Sequence, residues 1–358
     1  MSREHTVAMI ERQAQACAEL GSPLYAALLH RAAADVTAGG PCATALAGYE
    51  NAPGPDAVAL RLLGAVHSLV LTGRAPELAA HYPSAGGAYD PDRIEQAWAA
   101  FRATVAAELP WVRDWLTRPP QTNETGRANL LVTGLLHTLR ATGPLPVRLF
   151  ELGASAGLNQ LADRFRVSAP GLDLGPADSP VLLDGAWRPA PPAWLTGPQP
   201  ALHLAERHGC DLTPIDPLSP EGALALRSYV WADQPARTAR LAGALELAAK
   251  HSPEVRPVGA AEFLAGVRTA EGSLTVVWHS VMRQYVPKPE WARVEAELSR
   301  LAEASTPTAP FAVVSFEPVR VGAEHRFLLT TRLGSAPAQH LAEAAPHGLP
   351  AWEFQVRA

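Results

Sequence analysis

The sequence has few cysteines, no long apolar segment and little basic charge. Only three of its 358 residues are cysteines, Cys17, Cys42 and Cys210. They are odd in number and far apart, which excludes a disulfide framework and a paired-cysteine metal site. No apolar run reaches the about 18 residues of a membrane-spanning helix, and the first residues lack an apolar core of signal-peptide length. We therefore expect a soluble cytoplasmic protein without a metal site.

The small number of basic residues indicates which kinds of partner the protein's charge disfavours. The 30 lysines and arginines are outnumbered by 35 acidic residues, and the formal net charge is −5. A nucleic-acid-binding protein normally presents a basic face, and a membrane-surface protein presents a basic cluster. The composition therefore disfavours nucleic-acid and membrane partners. The only lysines are Lys250 and Lys288, which disfavours an amine nucleophile.

Hydrophobic residues make up 47% of the chain, enough for a large core, and their spacing changes near residue 145. From Glu4 to Arg140 they recur at helical spacing, which predicts about six to eight packed helices. Beyond that point β-rich runs alternate with helical segments, a pattern typical of a mainly parallel sheet covered on both faces. We predict an α-helical domain over residues 1–144 and an α/β domain over residues 145–358.

Seven segments of the α/β domain are predicted to be strands. They are residues 147–152, a segment within 201–212, 255–258, 274–279, 311–316, 325–332 and 352–356. The last two have no long helix between them, which predicts an antiparallel hairpin at one edge of the sheet. A proline-rich insert over residues 168–200 interrupts the alternation. It is either a lid, an oligomer contact or a surface excursion without chemistry.

The most informative motif follows the first predicted strand and covers residues 151–159, ELGASAGLN. Gly153 permits a tight turn, and Gly157 permits close approach of a ligand or a helix. Where such a turn opens a helix, its free N–H groups point at the ligand. Glu151 ends the strand, where it can fix the turn or accept a hydrogen bond from a ligand. A purely structural strand-to-helix turn is the alternative.

This stretch resembles motif I of class I S-adenosylmethionine-dependent methyltransferases, an acidic residue followed by Gly-x-small-x-Gly. Ser155 stands where many members have the middle glycine, and the motif runs on to Asn159. The glycine spacing matches a dinucleotide fingerprint less well, so a nicotinamide-dependent oxidoreductase is a weaker alternative. The resemblance covers about residues 145–358. It implies a Rossmann-like, seven-stranded α/β fold and S-adenosylmethionine as the cofactor.

The resemblance also implies which residues hold the cofactor. In the methyltransferase fold a second acidic residue, at the end of strand two, binds the ribose hydroxyls. Asp211 is the best match and Asp216 the other candidate, because a carboxylate there accepts both ribose O–H groups. A turn-forming aspartate is the alternative for Asp211. The implied cofactor residues are Glu151, Gly153, Ser155, Gly157, Asn159 and Asp211.

Polar residues at two further strand ends are candidates for catalysis and substrate binding. His279 ends the fourth strand, a position that lies beside the transferred methyl group in methyltransferases, so the resemblance implies a general base there. A hydrogen-bonded structural histidine is the alternative. Gln284 and Tyr285 follow in the next loop, where they either bind substrate or pack. Glu317 ends the fifth strand, where it either binds a cationic substrate or pairs with an arginine such as Arg320.

A polar loop before the last helix of the helical half supplies three more candidates, Asn123, Glu124 and Arg127. One hypothesis is that this loop reaches the crevice of the sheet and presents these side chains to substrate. The alternative is that Asn123 caps the helix and Glu124 suits its first turn. A helical domain that closes over the crevice favours a buried small molecule as the substrate.

Over nearly its full length the chain also resembles a bacterial family known only as a domain of unknown function. The segments that carry this likeness are GSPLYAALL, LRLLGAVHSLVL, HYPSAGG, QTNETGR, LFELGASAGLN, GCDLTPIDP, SYVWADQ and TVVWHSV. We predict in-line methyl transfer from S-adenosylmethionine to a small molecule, with substrate and oligomeric state left open. A methyltransferase-like module that binds a ligand or a partner without catalysis is the alternative.

Overall fold

The computed structural model describes residues 3–322 and 324–355. In this part of the chain the α-helices are α1 (Arg3–Glu19), α2 (Pro23–Ala38), α3 (Pro41–Ala45), α4 (Val58–Leu71), α5 (Pro76–Ala79), α6 (Ile94–Ala107), α7 (Leu109–Leu116), α8 (Ala128–Thr142), α9 (Ala193–Thr196), α10 (Pro220–Ser228), α11 (Pro235–His251), α12 (Ala260–Ala265) and α13 (Lys288–Glu303). Shorter 3-10 helices lie at Gly54–Asp56, Pro83–Ala85, Pro91–Arg93, Thr125–Arg127, Leu158–Arg164 and Arg283–Tyr285.

The strands of the described chain form two sheets. They are β1 (Val147–Leu152), β2 (Arg166–Ala169), β3 (Leu172–Leu174), β4 (Leu182–Leu183), β5 (Leu204–Asp211), β6 (Val255–Pro257), β7 (Leu274–Ser280), β8 (Phe311–Val321), β9 (Glu324–Leu333), β10 (Gln339–Ala344) and β11 (Ala351–Glu353). The main sheet has eight strands in the order β11-β10-β9-β8-β7-β1-β5-β6, and the small sheet has the order β3-β2-β4.

The described chain forms two compact units. Residues 3–122 and 219–239 make the helical unit, and residues 123–218 and 240–355 make the sheet unit. This division differs from the predicted boundary near residue 145. Helix α8 belongs to the sheet unit because it packs on β7, β8 and β9. The segment 219–239 returns to the helical unit, where α10 packs on α4.

Helix α4 illustrates how the helical unit is held together. Leu62, Leu63, Val66, Leu69 and Val70 recur at three- and four-residue spacing and are at most 3% exposed. This apolar stripe packs against α1, α7 and α10. Each fully buried side chain of this size contributes about 1.5–3 kcal/mol, so packing rather than helix propensity stabilises α4.

A buried histidine interrupts the apolar surface of α4. His67 is 1% exposed, its Nδ1 lies 3.0 Å from the carbonyl oxygen of Ser228, and its Nε2 lies 2.7 Å from Oγ of Ser84. Because the carbonyl can only accept, Nδ1 carries the proton and Nε2 accepts from the serine hydroxyl. Burial lowers the pKa of His67 to about 4, so the ring is neutral in the folded protein at pH 7.

The main sheet combines a parallel part with an antiparallel part. Strands β6, β5, β1, β7 and β8 are parallel to one another, and β8 to β11 form an antiparallel meander. Strand β1 has five buried residues out of six, as expected for a central strand covered on both faces. One face packs on α12 and α13 through a core that includes Phe150, Val277 and Phe311.

Helix α8 covers part of the opposite face. It approaches β8 closely at Gly134, where a Cβ atom would lie 2.3 Å from Cγ1 of Val314. Such a distance is far below van der Waals contact, so the side chain of residue 134 cannot be larger than hydrogen without a shift of the helix or the valine. The glycine therefore sets how near the helix lies to the sheet.

The structure corrects two predictions about the sheet. The predicted strand count was seven, but the main sheet has eight strands because Gln339–Ala344 forms β10. The predicted hairpin between the last two strands was also wrong, since β10 lies between β9 and β11. Val356, the last residue of the final predicted strand, lies outside the described residues. The described fold is thus mixed α/β with a helical N-terminal region and an eight-stranded, mostly parallel sheet.

The proline-rich insert has its own small architecture. Strands β2 and β3 pair antiparallel, β4 pairs parallel with β2, and α9 follows. Arg166 and Asp173 form an exposed ion pair across β2 and β3. Among the described residues of the whole chain, no helix combines the length and the apolar character required to cross a bilayer.

Candidate functional site

The strand order locates the crevice where a ligand of the sheet unit is expected. The chain runs outward from β1 to β5 and β6, and then returns to the other side of β1 with β7 and β8. In open parallel sheets ligands bind beyond the carboxyl ends of the strands at such a change of side. At this edge Leu152 of β1 is in register with Cys210 of β5 and with His279 of β7. Ser280 is in register with Phe316 of β8.

Consecutive residues at these strand ends face opposite sides of the sheet. Phe150 packs in the core with α12 and α13, so Glu151 points to the other face. Val277 belongs to the same core, which places His279 on the α13 face and Trp278 on the face of Glu151. The edge therefore carries two clusters of polar residues, one on each face of the sheet. Glu151 belongs to one cluster and His279 to the other.

A tight turn leads out of β1 on the face of Glu151. Gly153, Ser155 and Gly157 have φ angles of 65°, 54° and 72°. The N–H of Gly157 donates to the carbonyl of Ala154 at 2.8 Å. A Cβ atom on Gly157 would lie 2.9 Å from Cβ of Pro253, so both the backbone angle and the available space require glycine there.

The helix predicted after this turn is a 3-10 helix, Leu158–Arg164, with non-helical angles at Leu161. Its length is limited because β2 begins directly afterwards, at Arg166. The N–H of Leu158 donates to Oδ1 of Asn123 at 2.7 Å. The amide of Leu158 is therefore occupied by a side chain of the protein.

Asp211 holds the glycine turn in place. It is the last residue of β5, and its two carboxylate oxygens accept from the N–H groups of Ser155 at 2.9 Å and Thr213 at 3.0 Å. The structure thus brings Asp211 to the turn from the neighbouring strand. Asp216 lies further along the following loop, where it accepts from the N–H of Leu218 at 2.9 Å.

Glu151 is a buried carboxyl group beside the turn. It is 3% exposed. Burial raises the pKa of Glu151 to about 8, the side chain of Trp278 on β7 opposes this shift, and the charge of Asp211 adds to it. A carboxyl group with its pKa near neutral pH changes protonation readily when a charged ligand binds, and such groups concentrate at functional sites.

Within the part of the chain that the structure describes, several buried oxygen atoms around the turn have no hydrogen-bond partner. They include Oε2 of Glu151, Oγ of Ser155 and Oδ1 of Asn159. Nearly all buried polar atoms in folded proteins are paired with protein, water or ligand. Together with Asp211 these residues are here called the glycine-turn cluster. Asn159 and Asp211 offer acceptor oxygens, the protonated carboxyl of Glu151 can accept or donate, and Nε1 of Trp278 is a buried donor without a partner among the described residues. The cluster therefore suits a polar ligand that offers hydrogen-bond donors.

His279 and Glu317 form the polar cluster on the other face. Nδ1 of His279 lies 2.8 Å from Oε1 of Glu317, and the two residues are 5% and 8% exposed. The same oxygen accepts from the N–H groups of Met282 at 3.2 Å and Arg283 at 3.4 Å. Glu317 is therefore hydrogen-bonded to His279, whereas Nε of Arg320 donates to the carbonyl of Gly322.

The loop after β7 connects the two polar clusters. Val281 has a φ of 50°, and the side chain of Met282 lies against the turn, 3.0 Å from where a Cβ of Gly153 would be. Gln284 and Tyr285 follow in a 3-10 helix and are exposed, with 59% of Tyr285 accessible. Their side chains make no hydrogen bond among the described residues, so both are open to a ligand.

The loop of Asn123, Glu124 and Arg127 belongs to the sheet unit and contacts its backbone. Asn123 accepts a hydrogen bond from the start of the 3-10 helix Leu158–Arg164. The carboxylate of Glu124 accepts from the N–H of Gly126 at 3.1 Å and lies 3.3 Å from Nδ1 of His347. Nε of Arg127 donates to the carbonyl of Pro346 at 3.1 Å. Asn123 thus accepts from the first amide of the helix Leu158–Arg164 and does not cap α8, the helix that follows it in the chain.

Sequence reasoning missed two residues of the site. Trp278 stands beside Glu151, and the side chain of Met282 lies against one side of the exposed Gly153. The predicted strand 274–279 carries the signal that could have found Trp278, because adjacent residues of a strand face opposite sides of the sheet. Within the described residues no group of three histidines, cysteines and acidic residues is placed to hold a metal ion.

Comparison with known proteins places the chain in a family. The model of the family described as "Uncharacterized protein conserved in bacteria (DUF2332)" matches residues 7–352. The chain belongs to this family. No curated protein and no solved structure matches it. The glycine turn, Asp211, His279 and Glu317 all lie within the part that matches the DUF2332 family.

Proposed function

We propose that the sheet unit of this DUF2332 protein binds S-adenosylmethionine and transfers its methyl group to a small molecule. The observation that carries the proposal is the position of the glycine-turn cluster. It lies beyond the carboxyl ends of β1 and β5, at the point where the strand order changes side. Motif I of the class I methyltransferases, which residues 151–157 resemble, occupies the corresponding turn after the first strand.

The residues of the cluster fit this cofactor chemically. S-adenosylmethionine offers hydrogen-bond donors on its ribose and amino groups and carries a positively charged sulfonium. The unpartnered oxygens of Glu151, Ser155 and Asn159 are suitable acceptors, and the carboxylate of Asp211 lies at the same turn. A charge-assisted hydrogen bond to a carboxylate is about twice as strong as a neutral one.

The protein's contribution to the transfer is positioning and exclusion of water. When bound, the cofactor supplies an electrophilic methyl group on sulfur. Glu151 and Asp211 hold donors, and the tight turn allows close approach at Gly153, the one exposed residue of the turn. His279 at the end of β7 is the residue that accepts a proton from the substrate. Holding two reactants in line contributes several kcal/mol to such a displacement, about 7–11 at best.

Calorimetric titration of S-adenosylmethionine and S-adenosylhomocysteine tests the proposal. Asp211→Asn keeps the side-chain shape and removes the charge, but it also replaces one of the two oxygens that accept from backbone N–H groups with an NH2 group. Its unfolding by urea is therefore compared with that of the unaltered protein, and in the folded variant we expect binding to weaken by about 1–3 kcal/mol, the worth of a charged hydrogen bond. Asp173→Asn, at the exposed ion pair of the insert, is the matched control and is expected to bind normally. Absence of binding by the folded protein contradicts the proposal.

The same titration separates the two other functions. NAD and ATP serve as control ligands, and binding of NAD in place of S-adenosylmethionine would favour an oxidoreductase. Binding of S-adenosylmethionine without methylation of any of a broad panel of small molecules would favour a non-catalytic ligand-binding module.

A further inference from the structure

The hydrogen bonds around Glu317 fix which nitrogen of His279 carries a proton. Oε1 of Glu317 accepts from the backbone N–H groups of Met282 and Arg283, which can only donate. An ionised carboxylate suits this arrangement because it is an acceptor at every lone pair. Nδ1 of His279, 2.8 Å from the same oxygen, must then carry hydrogen. The neutral ring accordingly has its free lone pair on Nε2.

Two further polar atoms of the pair have no hydrogen-bond partner among the described residues. Nε2 of His279 makes no hydrogen bond to any described residue, and Oε2 of Glu317 is buried without a partner. The ring itself is held, since the indole of Trp291 on α13 contacts it edge to face with centroids 5.3 Å apart. Nε2 of His279 and Oε2 of Glu317 are thus two acceptor atoms without a hydrogen-bond partner among the described residues, on side chains that are held in place. This combination suits a substrate that offers hydrogen-bond donors.

We propose that Glu317 is a positioning residue for His279 and that the pair selects substrates whose methyl acceptor carries a proton, a hydroxyl or an N–H group. This inference rests on the proposed methyl transfer. A lone pair of the acceptor forms the new bond to the methyl carbon. The carbon–sulfur bond breaks with its electron pair left on sulfur, and the proton of the acceptor goes to Nε2 of His279. Thioethers and tertiary amines have no such proton to lose.

The positioning role is tested by NMR of the full chain labelled with 15N-histidine, with His279→Gln used to assign the signal. In the unaltered protein we expect the ring nitrogens of His279 to report hydrogen on Nδ1. Glu317→Ala is expected to give a mixture of tautomers. Glu317→Gln is expected to restore the single tautomer, because its amide oxygen can accept from Nδ1. Glu303→Ala, at the exposed end of α13, is the control.

This spectroscopic result does not depend on methyl transfer. Hydrogen found mainly on Nε2 of His279 in the unaltered protein would overturn the positioning role even if S-adenosylmethionine binds. Conversely, the tautomer can be as expected while the cofactor fails to bind, which would refute the proposed function and leave the Glu317–His279 arrangement standing.

The substrate class is tested with cofactor carrying a tritiated methyl group and a panel of paired small molecules. One half of the panel are phenols, alcohols and imidazoles, and the other half are thioethers and tertiary amines. We expect transfer only to the first half, with a kcat at least tenfold lower in Glu317→Ala, partial recovery in Glu317→Gln, and little change in KM. Transfer only to proton-free acceptors, or to neither half while cofactor is bound, would overturn the assignment.

Discussion

The buried carboxyl of Glu151 makes the protein less stable as the pH rises, and Glu151→Gln is expected to remove this effect. The pKa of Glu151 is raised from an ordinary value of 4.5 to about 8, chiefly by burial. Between these values the unfolded chain has lost the proton while the folded protein keeps it. For an acid whose pKa is raised on folding, the stabilising contribution is complete below pH 4.5 and is lost as the pH rises toward 8.

The size of the effect follows from linkage between protonation and folding. Each pH unit within this window lowers the free energy of unfolding by about 1.4 kcal/mol. From pH 4.5 to pH 7 the loss is on the order of 3 kcal/mol, a large part of a typical total stability of about 5–15 kcal/mol. Glutamine has nearly the same shape and no titrating group. Between pH 4.5 and pH 7 the difference in free energy of unfolding, Glu151→Gln minus the unaltered protein, should therefore increase by about 3 kcal/mol.

Urea unfolding at pH 5, 6, 7 and 8, followed by tryptophan fluorescence and circular dichroism, measures the difference directly. The quantity to compare is the gap between the two proteins at each pH, because effects common to both then cancel. Glu303→Gln, on the exposed end of α13, is the control and should give a constant gap. A gap for Glu151→Gln that stays constant from pH 5 to pH 8 would refute the reasoning that Glu151 is protonated in the folded protein.

Three further predictions concern named side chains. Burial lowers the pKa of His67 from 6.5 to about 4. The free energy of unfolding should therefore fall by about 3 kcal/mol as the pH drops from 6.5 to 4, and His67→Gln should lack this fall in acid unfolding experiments. Gly134→Ala should destabilise the protein by about 1–3 kcal/mol through its clash with Val314, and Val314→Ala in the same chain should recover part of the loss, as measured by thermal unfolding. Gly157→Ala should cost at least about 1 kcal/mol and weaken binding of S-adenosylhomocysteine, whereas Gly143→Ala, also at positive φ but in open space, should affect stability alone.

Much of the architecture of the sheet unit follows from the sequence pattern. The continuous apolar run at 147–152 coincides with β1 because a central parallel strand is buried on both faces. The sequence did not predict strand β10, QHLAEA, because the strand begins with two exposed polar residues. Its pairing with β9 and β11 stabilises it as a strand, and this pairing cannot be recognised from a short polar segment.

The site was predictable as a set of strand ends but not as a set of contacts. The sequence predicts that Glu151, Asp211, His279 and Glu317 each end a strand, and the first three lie at or within one residue of an observed strand end. The prediction for Glu317 is wrong, because β8 continues past it to Val321. That His279 meets Glu317, 38 residues away, depends on the register of β7 with β8, which a sequence does not contain. The roles of Asn123 and Glu124 depend likewise on long-range packing against the turn, so local helix-cap rules could not identify their partners.

A crystal structure of the protein with S-adenosylhomocysteine tests the proposed cofactor site directly. We predict that the ligand lies beyond the carboxyl ends of β1 and β5, against the turn at Gly153, with hydrogen bonds to Asp211 and to the unpartnered oxygen of Glu151 or Asn159. A ligand bound elsewhere in the molecule, with the glycine turn and Asp211 untouched, would contradict the account.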